Sequence, residues 1–385
     1  MHNPLKLLRI GITMRTGCLK KIFSSLFSLL IIAGIAAAVY FNQQFVKTHI
    51  INRVKGMYYI YQGDKAYRKM NTNKAIEYYN KGLSLFPKHY TAWYNLGNIY
   101  VSYEDYYSAL HSYSQAFKYN PAMMIARMNY GIVATQKLGD FDSALTQFNQ
   151  IVNTKRKLLY IPYVFNNKIS TKDNKAIAYY NMGVTYRLKS LYSNEDWEQQ
   201  RKNLSKAIEA YEKSLKINPN SYDTLYNLGV AYHIAGRYDE AGMSYCKAIE
   251  VQPMSYEAHY NLAILLRHLR YYEQSYEEIE KAAALVTALN ENTVQQQYVA
   301  IVMNDIMRTM YGNEQYRAKL NNQLNTQKNK VASNMAGQNI QLKDSSKSDR
   351  VNLVNGKVVV TKELDESILK NFGKCSVKKL FSHDD

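Results

Sequence analysis

Apolar and polar residues alternate with a helical period between residues 56 and 289. The segment TAWYNLGNIY, residues 91–100, returns in altered form as TLYNLGVAY, residues 224–232. In both segments, apolar and small side chains recur three and four positions apart, which places them on one face of a helix. A second amphipathic segment follows each of the two after a short polar turn. The pattern therefore predicts pairs of helices, each of which buries one face.

The two segments share eight positions at fixed offsets. The positions are Trp93, Leu96, Gly97, Tyr100, Ala109, Tyr113, Ala116 and Pro121 in the first copy, and Leu225, Leu228, Gly229, Tyr232, Ala241, Tyr245, Ala248 and Pro253 in the second. This order of large, small and aromatic residues resembles the tetratricopeptide repeat of about 34 residues. The resemblance implies an all-α fold, a right-handed α-solenoid of about six helix-turn-helix units whose neighbours complete one another's core.

The resemblance also divides the chain into segments. We predict repeats 1–3 over residues 56–158, an insertion at residues 159–175, and repeats 4–6 over residues 176–289. The third repeat has one extra residue in its turn KLGDFD, and the fourth is 12 residues longer around SLYSNEDWEQQ. A capping helix is predicted over residues 290–320, because an open end of the repeats would expose core. Its predicted apolar positions are Val294, Tyr298, Ile301, Val302 and Ile306.

The end of the chain is polar. Residues 321–350 are predicted to be a disordered linker, since they contain few large apolar residues. Residues 351–385 are predicted to be a poorly ordered tail, in which VNLVNGKVVV is typical of a β-hairpin around Asn355 and Gly356. An isolated hairpin is only marginally stable in water. We therefore expect it to fold against the repeats or against a partner.

An uncharged run of 20 residues, Ile22 to Phe41, stands near the start of the chain. A helix of this length crosses a bilayer core of about 30 Å. We therefore predict a transmembrane helix at residues 22–41, between a basic segment, residues 1–21, and a juxtamembrane linker, residues 42–55. A signal peptide cleaved near Ala38 is the alternative. Five basic residues precede the run and three follow it closely, which favours a single-pass cell-membrane protein with most of the chain outside the cytoplasm.

The basic charge is concentrated at the N-terminal end. The net charge is +18, and residues 1–55 hold eight Lys and Arg without any Asp or Glu. A nucleic-acid-binding domain would carry such charge on its folded part, so no nucleic acid is expected as a partner. Basic side chains beside a membrane also attract anionic lipids. The candidates for that contact are Arg53, Lys55, Lys65, Arg68, Lys69 and Lys74.

The sequence contains no motif of a known enzyme class. The P-loop, dinucleotide-binding, G-x-S-x-G and H-E-x-x-H motifs are absent, and the eight histidines are scattered. The cysteines Cys18, Cys246 and Cys375 stand far apart, so we predict neither a disulfide framework nor a zinc ribbon. A membrane-anchored bacterial relative within the repeat family ends in a rubredoxin-like zinc ribbon, which Cys375 alone cannot build. We predict a protein that is not an enzyme and uses no cofactor and no metal.

One position of the first helices repeats chemically: an Asn preceded by Tyr or Met. An Asn amide donates and accepts hydrogen bonds, so a row of them can bind the backbone of an extended peptide. The row is similar to the asparagine ladder in the tetratricopeptide arm of the O-linked N-acetylglucosamine transferases. The predicted groove residues are Tyr94, Asn95, Asn98, Met128, Asn129, Tyr180, Asn181, Tyr226, Asn227, Tyr260 and Asn261, with Arg187, His233 and Arg267 along one edge. The alternative is that Asn is simply common at this position of the repeat.

Tetratricopeptide co-chaperones that bind acidic C-termini use a clamp of Lys, Arg and Asn on the same face. Asn98 and Asn129 match its asparagines. Its cationic positions, however, hold Tyr94, Ile177 and Asn181. The sequence therefore does not predict this clamp.

Together these features predict a membrane-anchored, bacterial-type tetratricopeptide scaffold. Partner proteins or peptides would bind its concave surface, in the assembly of cell-envelope complexes. A structural envelope protein that forms homo-oligomers is one alternative, and an adaptor facing the cytosol is another. The fold does not decide among these roles, since it serves many.

Overall fold

The computed structural model describes residues 24–25, 27–154, 171–193, 196–288, 293–312, 351–354, 357–360 and 372–381. The chain forms two compact units, Met1–Val133 and Ala134–Asp385. Of the insertion predicted at residues 159–175, residues 159–170 lie outside the described residues. The predicted linker, residues 321–350, and residues 1–23 also lie outside them.

The first unit is helical throughout its described part. Its elements are α1 (residues 27–41), α2 (Gln43–Val46), a π-helical turn (Lys47–Ile51), α3 (Asn52–Arg68), α4 (Thr72–Leu85), α5 (Tyr90–Ser102), α6 (Tyr106–Tyr119) and α7 (Met124–Val133). Helices α3 and α4 pack as one pair and α5 and α6 as the next. The predicted pairing is therefore confirmed in this unit.

The turn inside each pair uses the same local chemistry. Met70 and Glu104 take the left-handed conformation, with φ of 58° and 60°. The next residue, Asn71 or Asp105, caps the second helix by accepting a hydrogen bond from a backbone N–H three residues on, at 3.2 Å in both turns. Such a cap satisfies one of the amides that the start of a helix leaves unpaired. These polar turns fix where one helix ends and the next begins.

A glycine in the first helix lets the two helices of a pair approach closely. A Cβ atom placed on Gly97 would lie 2.6 Å from the ring of Tyr113, and one on Gly229 would lie 2.7 Å from the ring of Tyr245. Both tyrosines are buried. Atoms cannot pack at such distances, so any larger residue at these positions would force the helices apart.

The second unit contains the longer helices and the strands. Its elements are a π-helical turn (Ala134–Leu138), α8 (Phe141–Val152), α9 (Thr171–Leu191), α10 (Trp197–Ile217), α11 (Tyr222–Ile234), α12 (Tyr238–Val251), α13 (Tyr256–His268), α14 (Tyr272–Ala288), α15 (Thr293–Gly312), β1 (Val351–Val354), β2 (Lys357–Val360) and a 3₁₀ turn (Lys378–Phe381). The predicted pairs α9 with α10, α11 with α12, and α13 with α14 are confirmed.

The two irregular repeats are accommodated without long loops. The π-helical turn Ala134–Leu138 takes up the extra residue of the third repeat, because such a turn holds one residue more than an α-helical turn. The extra residues of the fourth repeat mostly lengthen its helices. Helices α9 and α10 each have 21 residues, against 13 and 14 in α11 and α12.

The end of the chain is anchored on the second helices of the repeats. Residues 372–381, named the C-terminal strap, bury Phe372, Val377 and Phe381. A disulfide joins Cys375 to Cys246 of α12 across 129 residues of sequence, with the Cα atoms 5.2 Å apart. The predictions of a poorly ordered tail and of no disulfide are therefore wrong for these residues. Sequence spacing could not reveal the bond, because only the folded chain brings the two cysteines within bonding reach.

The predicted transmembrane helix is not supported. Among the residues that the structure describes, no helix combines the length and apolar character needed to span a membrane.

The last helix and the hairpin complete the second unit. Helix α15 packs on α14, but its buried residues are Val299, Ala300, Met303 and Ile306. Of the predicted apolar positions, only Ile306 is buried and Val302 is half-buried. The face of α15 that is buried therefore lies about one residue away from the face that the sequence predicted. The predicted hairpin is confirmed: β1 pairs antiparallel with β2, with Val354 opposite Lys357. Its backbone lies against α14 and α15.

Candidate peptide-binding surface

In the first unit, the predicted groove residues of α5 and α7 are linked by hydrogen bonds. Asn129 donates through Nδ2 to the Tyr94 hydroxyl at 3.4 Å and to Asn98 Oδ1 at 3.3 Å. Asn95 donates to Asp64 Oδ1 and to the Tyr79 hydroxyl, both at 3.3 Å. The structure therefore brings these side chains together. It also adds Asp64, which the sequence did not indicate.

The same link recurs between first helices in the second unit. Asn227 of α11 donates to the Tyr180 hydroxyl of α9 at 3.5 Å, and Asn261 of α13 donates to the Tyr226 hydroxyl of α11 at 2.8 Å. Each Nδ2 also donates to a carbonyl of its own helix, Asp223 or Glu257. The amide nitrogens thus hold neighbouring repeats together. Their oxygens make no hydrogen bond with any described residue and can accept one from a ligand.

Two of the predicted groove residues are buried. Met128 is 6% exposed and Asn181 is 8% exposed. Asn181 donates to the carbonyl of Ile177 in its own helix at 2.9 Å. Neither side chain is placed as an open groove residue would be. The repeat period gives the helix face but not the exposure of each side chain on it.

A pocket of about 280 Å³ lies at the α15 end of the second unit. Its lining residues are Tyr226, Tyr256, Glu257, Tyr260, Asn261, Gln295, Tyr298 and Val299. Three of them belong to the predicted groove. The α15 residues were not predicted, since an aromatic residue on a capping helix gives no sequence signal of a pocket wall. Gln295 Oε1 is buried there without a hydrogen-bond partner among the described residues.

The three basic side chains of the predicted edge have different environments. Arg267 forms an ion pair with Asp305 of α15. His233 packs against the rings of Tyr238 and His268, and its pKa is lowered by burial and by the neighbouring His268. Arg187 forms no ion pair with any described residue, and its Nε atom is buried without a partner. Only Arg187 offers a charge that is still available.

The buried tyrosine of each second helix shows a difference between the units. In the first unit the Tyr79 hydroxyl donates to Asp64 Oδ1 at 2.7 Å, and the Tyr113 hydroxyl donates to Asn98 Oδ1 at 2.8 Å. Each acceptor is the residue that follows the glycine of the first helix in that pair. In the second unit the equivalent residues are Val184 and Val230, which offer no side-chain acceptor. Accordingly, the buried hydroxyl of Tyr245 has no partner among the described residues. The buried hydroxyl of Tyr211 interacts with the Arg187 side chain, which opposes the rise that burial causes in the pKa of Tyr211.

The described residues show no arrangement that points to catalysis. No group of three or more His, Cys, Asp and Glu side chains among them could hold a metal ion. The buried pair His259 and Glu278, with 2.6 Å between Nδ1 and Oε2, is joined by Lys281. This cluster lies on α13 and α14, where Phe372 of the strap covers the imidazole. Its burial makes it a structural element.

Sequence comparison identifies two parts of this architecture. Tetratricopeptide repeat models match residues 97–156 and residues 210–242. These stretches are tetratricopeptide repeats. The repeat family is a class of non-enzymatic scaffolds that bind protein or peptide partners.

Further comparisons add no functional assignment. No curated protein matches the chain. The chain is similar to the solved structure of MamA, with 23% identity, coverage of 51% of this chain and 92% of MamA, and a TM-score of 0.41. It is similar to PilW, a type IV pilus biogenesis factor, with 16% identity, coverage of 63% and 98%, and a TM-score of 0.46. It is similar to PilF of Pseudomonas aeruginosa, with 16% identity, coverage of 65% of this chain and 98% of PilF, and a TM-score of 0.45. Scores of this size carry no conclusion about a partner.

Proposed function

We propose that the protein is a non-enzymatic scaffold that binds an extended peptide segment of a partner in the groove of its second unit. The observation that carries this proposal is the pocket bounded by Tyr226, Tyr260 and Tyr298. Tyrosines supply apolar contact area at low entropic cost and still offer a polar tip. Such walls suit the side chain of a bound peptide.

The polar atoms of the pocket match a peptide backbone. Two amide oxygens, Asn261 Oδ1 and Gln295 Oε1, have no hydrogen-bond partner among the described residues. A backbone N–H is the donor that every peptide offers, whatever its sequence. The side chain would then decide affinity through its fit between the tyrosines. Recognition is thus partly independent of sequence, as a scaffold for several partners requires.

Substitution of a pocket tyrosine tests this function. Peptides would first be selected by phage display on the intact chain, and the affinity of a selected peptide measured by fluorescence anisotropy. We expect Tyr260→Ala to weaken binding at least about tenfold, since buried aromatic anchors dominate such interfaces. Tyr107→Ala is the matched control, because Tyr107 is 78% exposed on α6. Equal affinity for both variants would refute the pocket as the binding site.

We further propose that the repeats work in an oxidising compartment, in the assembly of cell-envelope complexes. The Cys246–Cys375 disulfide supports this location, because such bonds persist outside the reducing cytoplasm. Protein isolated from its native cells, denatured and alkylated without reductant, should then carry one alkyl group, on Cys18. Three alkyl groups would contradict the proposal.

A further inference from the structure

The pocket at the α15 end of the second unit has walls that are mostly aromatic. Four of the eight residues that line it are tyrosines: Tyr226, Tyr256, Tyr260 and Tyr298. The first lies on α11, the next two lie on α13 and the last lies on α15, so three helices form the walls. The volume of about 280 Å³ is smaller than the usual range for drug-sized ligands, about 300–1,000 Å³. The pocket is thus of a size for one side chain of a bound peptide.

Glu257 gives this pocket a negative charge. The lining residues include no Lys, Arg or His, and Glu257 is half-buried. Buried Ser255 donates a hydrogen bond through its hydroxyl to Glu257 Oε2, and the Tyr222 hydroxyl bonds to Ser255 in turn. Glu257 Oε1 has no hydrogen-bond partner and Glu257 no ion pair among the described residues. A charge partly removed from water costs free energy, and proteins therefore keep such groups paired or use them for binding.

The amide groups in the pocket add further acceptors. Asn261 Nδ2 donates to the Tyr226 hydroxyl at 2.8 Å and to the Glu257 carbonyl at 3.1 Å, which leaves Asn261 Oδ1 free of any described partner. Gln295 Oε1 is buried without a partner among the described residues. Together with Glu257 Oε1, three acceptor oxygens thus lack a donor there. A ligand with a positive charge and several N–H donors matches this arrangement.

Two cations of the same unit do not neutralise Glu257. Arg267 forms its ion pair with Asp305 of α15, and Arg187 is not a lining residue of the pocket. Burial raises the pKa of Tyr226, the Glu257 charge raises it further, and the opposing effect of Arg187 is smaller. The pocket is therefore negative, although the whole chain has a net charge of +18.

We propose that the four tyrosines and Glu257 form a cage for a basic side chain, Lys or Arg, of the bound peptide. The proposal rests on the proposed peptide-binding function and specifies its ligand. A tyrosine ring attracts a cation placed over its face, and more strongly where water is displaced. The carboxylate forms a charge-assisted hydrogen bond with the cationic end, while the rings contact the apolar stem. Asn261 Oδ1 and Gln295 Oε1 remain for the peptide backbone.

The cage selects by charge as well as by shape. An uncharged apolar side chain of the same length would also fit between the rings, but it would cover Glu257 without supplying a counter-charge. An acidic side chain would be repelled by Glu257. This preference is opposite in sign to that of the co-chaperone clamp, which uses Lys and Arg to bind acidic C-termini.

The test uses two libraries of short fluorescein-labelled peptides, with a central Lys in one and a central norleucine in the other. All other positions are random but exclude Lys and Arg. Norleucine keeps the unbranched stem and lacks the ammonium group. Binding to the intact chain is measured by anisotropy, and we expect the Lys library to bind about tenfold more tightly. General electrostatic attraction would not give this result, because a chain with a net charge of +18 disfavours the more positive peptides.

Substitution of Glu257 assigns the preference to the cage. Glu257→Gln should abolish the preference for Lys and leave norleucine binding nearly unchanged, because the amide keeps an acceptor for Ser255 and loses only the charge. Glu277→Gln is the matched control, since Glu277 is exposed on α14 and does not line the pocket. This control should keep the full preference for Lys.

The outcomes separate this inference from the peptide-binding function. If both libraries bind the wild type equally and Tyr260→Ala weakens both, the groove binds peptides and the cage is wrong. If neither library binds, the peptide-binding function fails and the cage fails with it. If the Lys preference is as large in Glu257→Gln as in Glu277→Gln, the basic side chain is bound elsewhere, and the proposal is overturned.

Discussion

The unpartnered hydroxyl of Tyr245 leads to a prediction with an unusual sign. Tyr113 and Tyr245 occupy equivalent positions, each buried opposite a glycine. Tyr113→Phe removes a hydrogen bond of 2.8 Å to Asn98 Oδ1, which contributes about 1 kcal/mol to stability. Tyr245→Phe removes only a hydroxyl that is buried without a partner, and such burial costs about 1–3 kcal/mol. The first change should destabilise the protein, and the second should leave it unchanged or stabilise it by about 1 kcal/mol.

Urea denaturation followed by circular dichroism would measure both effects. Because the ring and its packing are kept in both variants, the slope of the free energy of unfolding with urea should stay constant, and only the midpoint should move. A midpoint for Tyr245→Phe that falls as far as that for Tyr113→Phe would refute the reasoning. It would mean that the Tyr245 hydroxyl has a partner, such as a buried water molecule.

Three further predictions concern stability. Gly97→Ala should lower the free energy of unfolding, measured by urea denaturation, by about 1–3 kcal/mol. The reason is that a Cβ 2.6 Å from the Tyr113 ring would clash with it, and this clash outweighs the helical preference for Ala. Glu278→Gln should cost about 3 kcal/mol near neutral pH, since it leaves a buried cluster without its anion. Cys375→Ser should release the strap and let trypsin cleave at Lys378, because the disulfide that closes a span of 129 residues is lost.

The pH dependence of the Glu278 variant follows from its pKa. Burial raises the pKa of Glu278, but His259 and Lys281 outweigh this effect and leave the pKa below its usual value of 4.5. The ionised carboxylate therefore stabilises the fold above pH 4.5, and this contribution is lost as the pH falls through the lowered folded-state pKa. Thermal unfolding between pH 5 and pH 3 should thus be less pH-dependent in Glu278→Gln than in the wild type. Parallel curves for the two proteins would contradict this account.

The other two variants have controls within the chain. Gly312→Ala is the control for Gly97→Ala, because a Cβ at Gly312 would contact nothing within 4 Å. The Gly312→Ala variant should therefore have nearly the same free energy of unfolding as the wild type. For Cys375→Ser, wild-type protein treated with dithiothreitol should show the same cleavage at Lys378. Protection of Lys378 in both cases would mean that Phe372 and Phe381 hold the strap without the disulfide.

The sequence by itself determined the helical pairs and the faces that they bury. The offsets from Gly97 to Tyr113 and from Gly229 to Tyr245 encode contacts inside a pair, which are local and therefore visible as a period. The turn residues and the Asn355-Gly356 hairpin signal are equally local. The aligned Asn row was also correct as a feature of neighbouring first helices. Its use in peptide binding stays a prediction: the amide nitrogens donate to Tyr hydroxyls of the preceding repeat.

Only the tertiary structure decided the contacts between distant segments. The disulfide between Cys246 and Cys375, the docking of Phe381 on α12 and the pocket wall of α15 depend on long-range packing that leaves no periodic trace. The same holds for the state of each basic residue. Arg187 and Arg267 look equivalent in the sequence, yet Asp305 pairs with Arg267, and no described acid pairs with Arg187. Pairing depends on which element folds back over a side chain, and a repeat pattern does not contain that information.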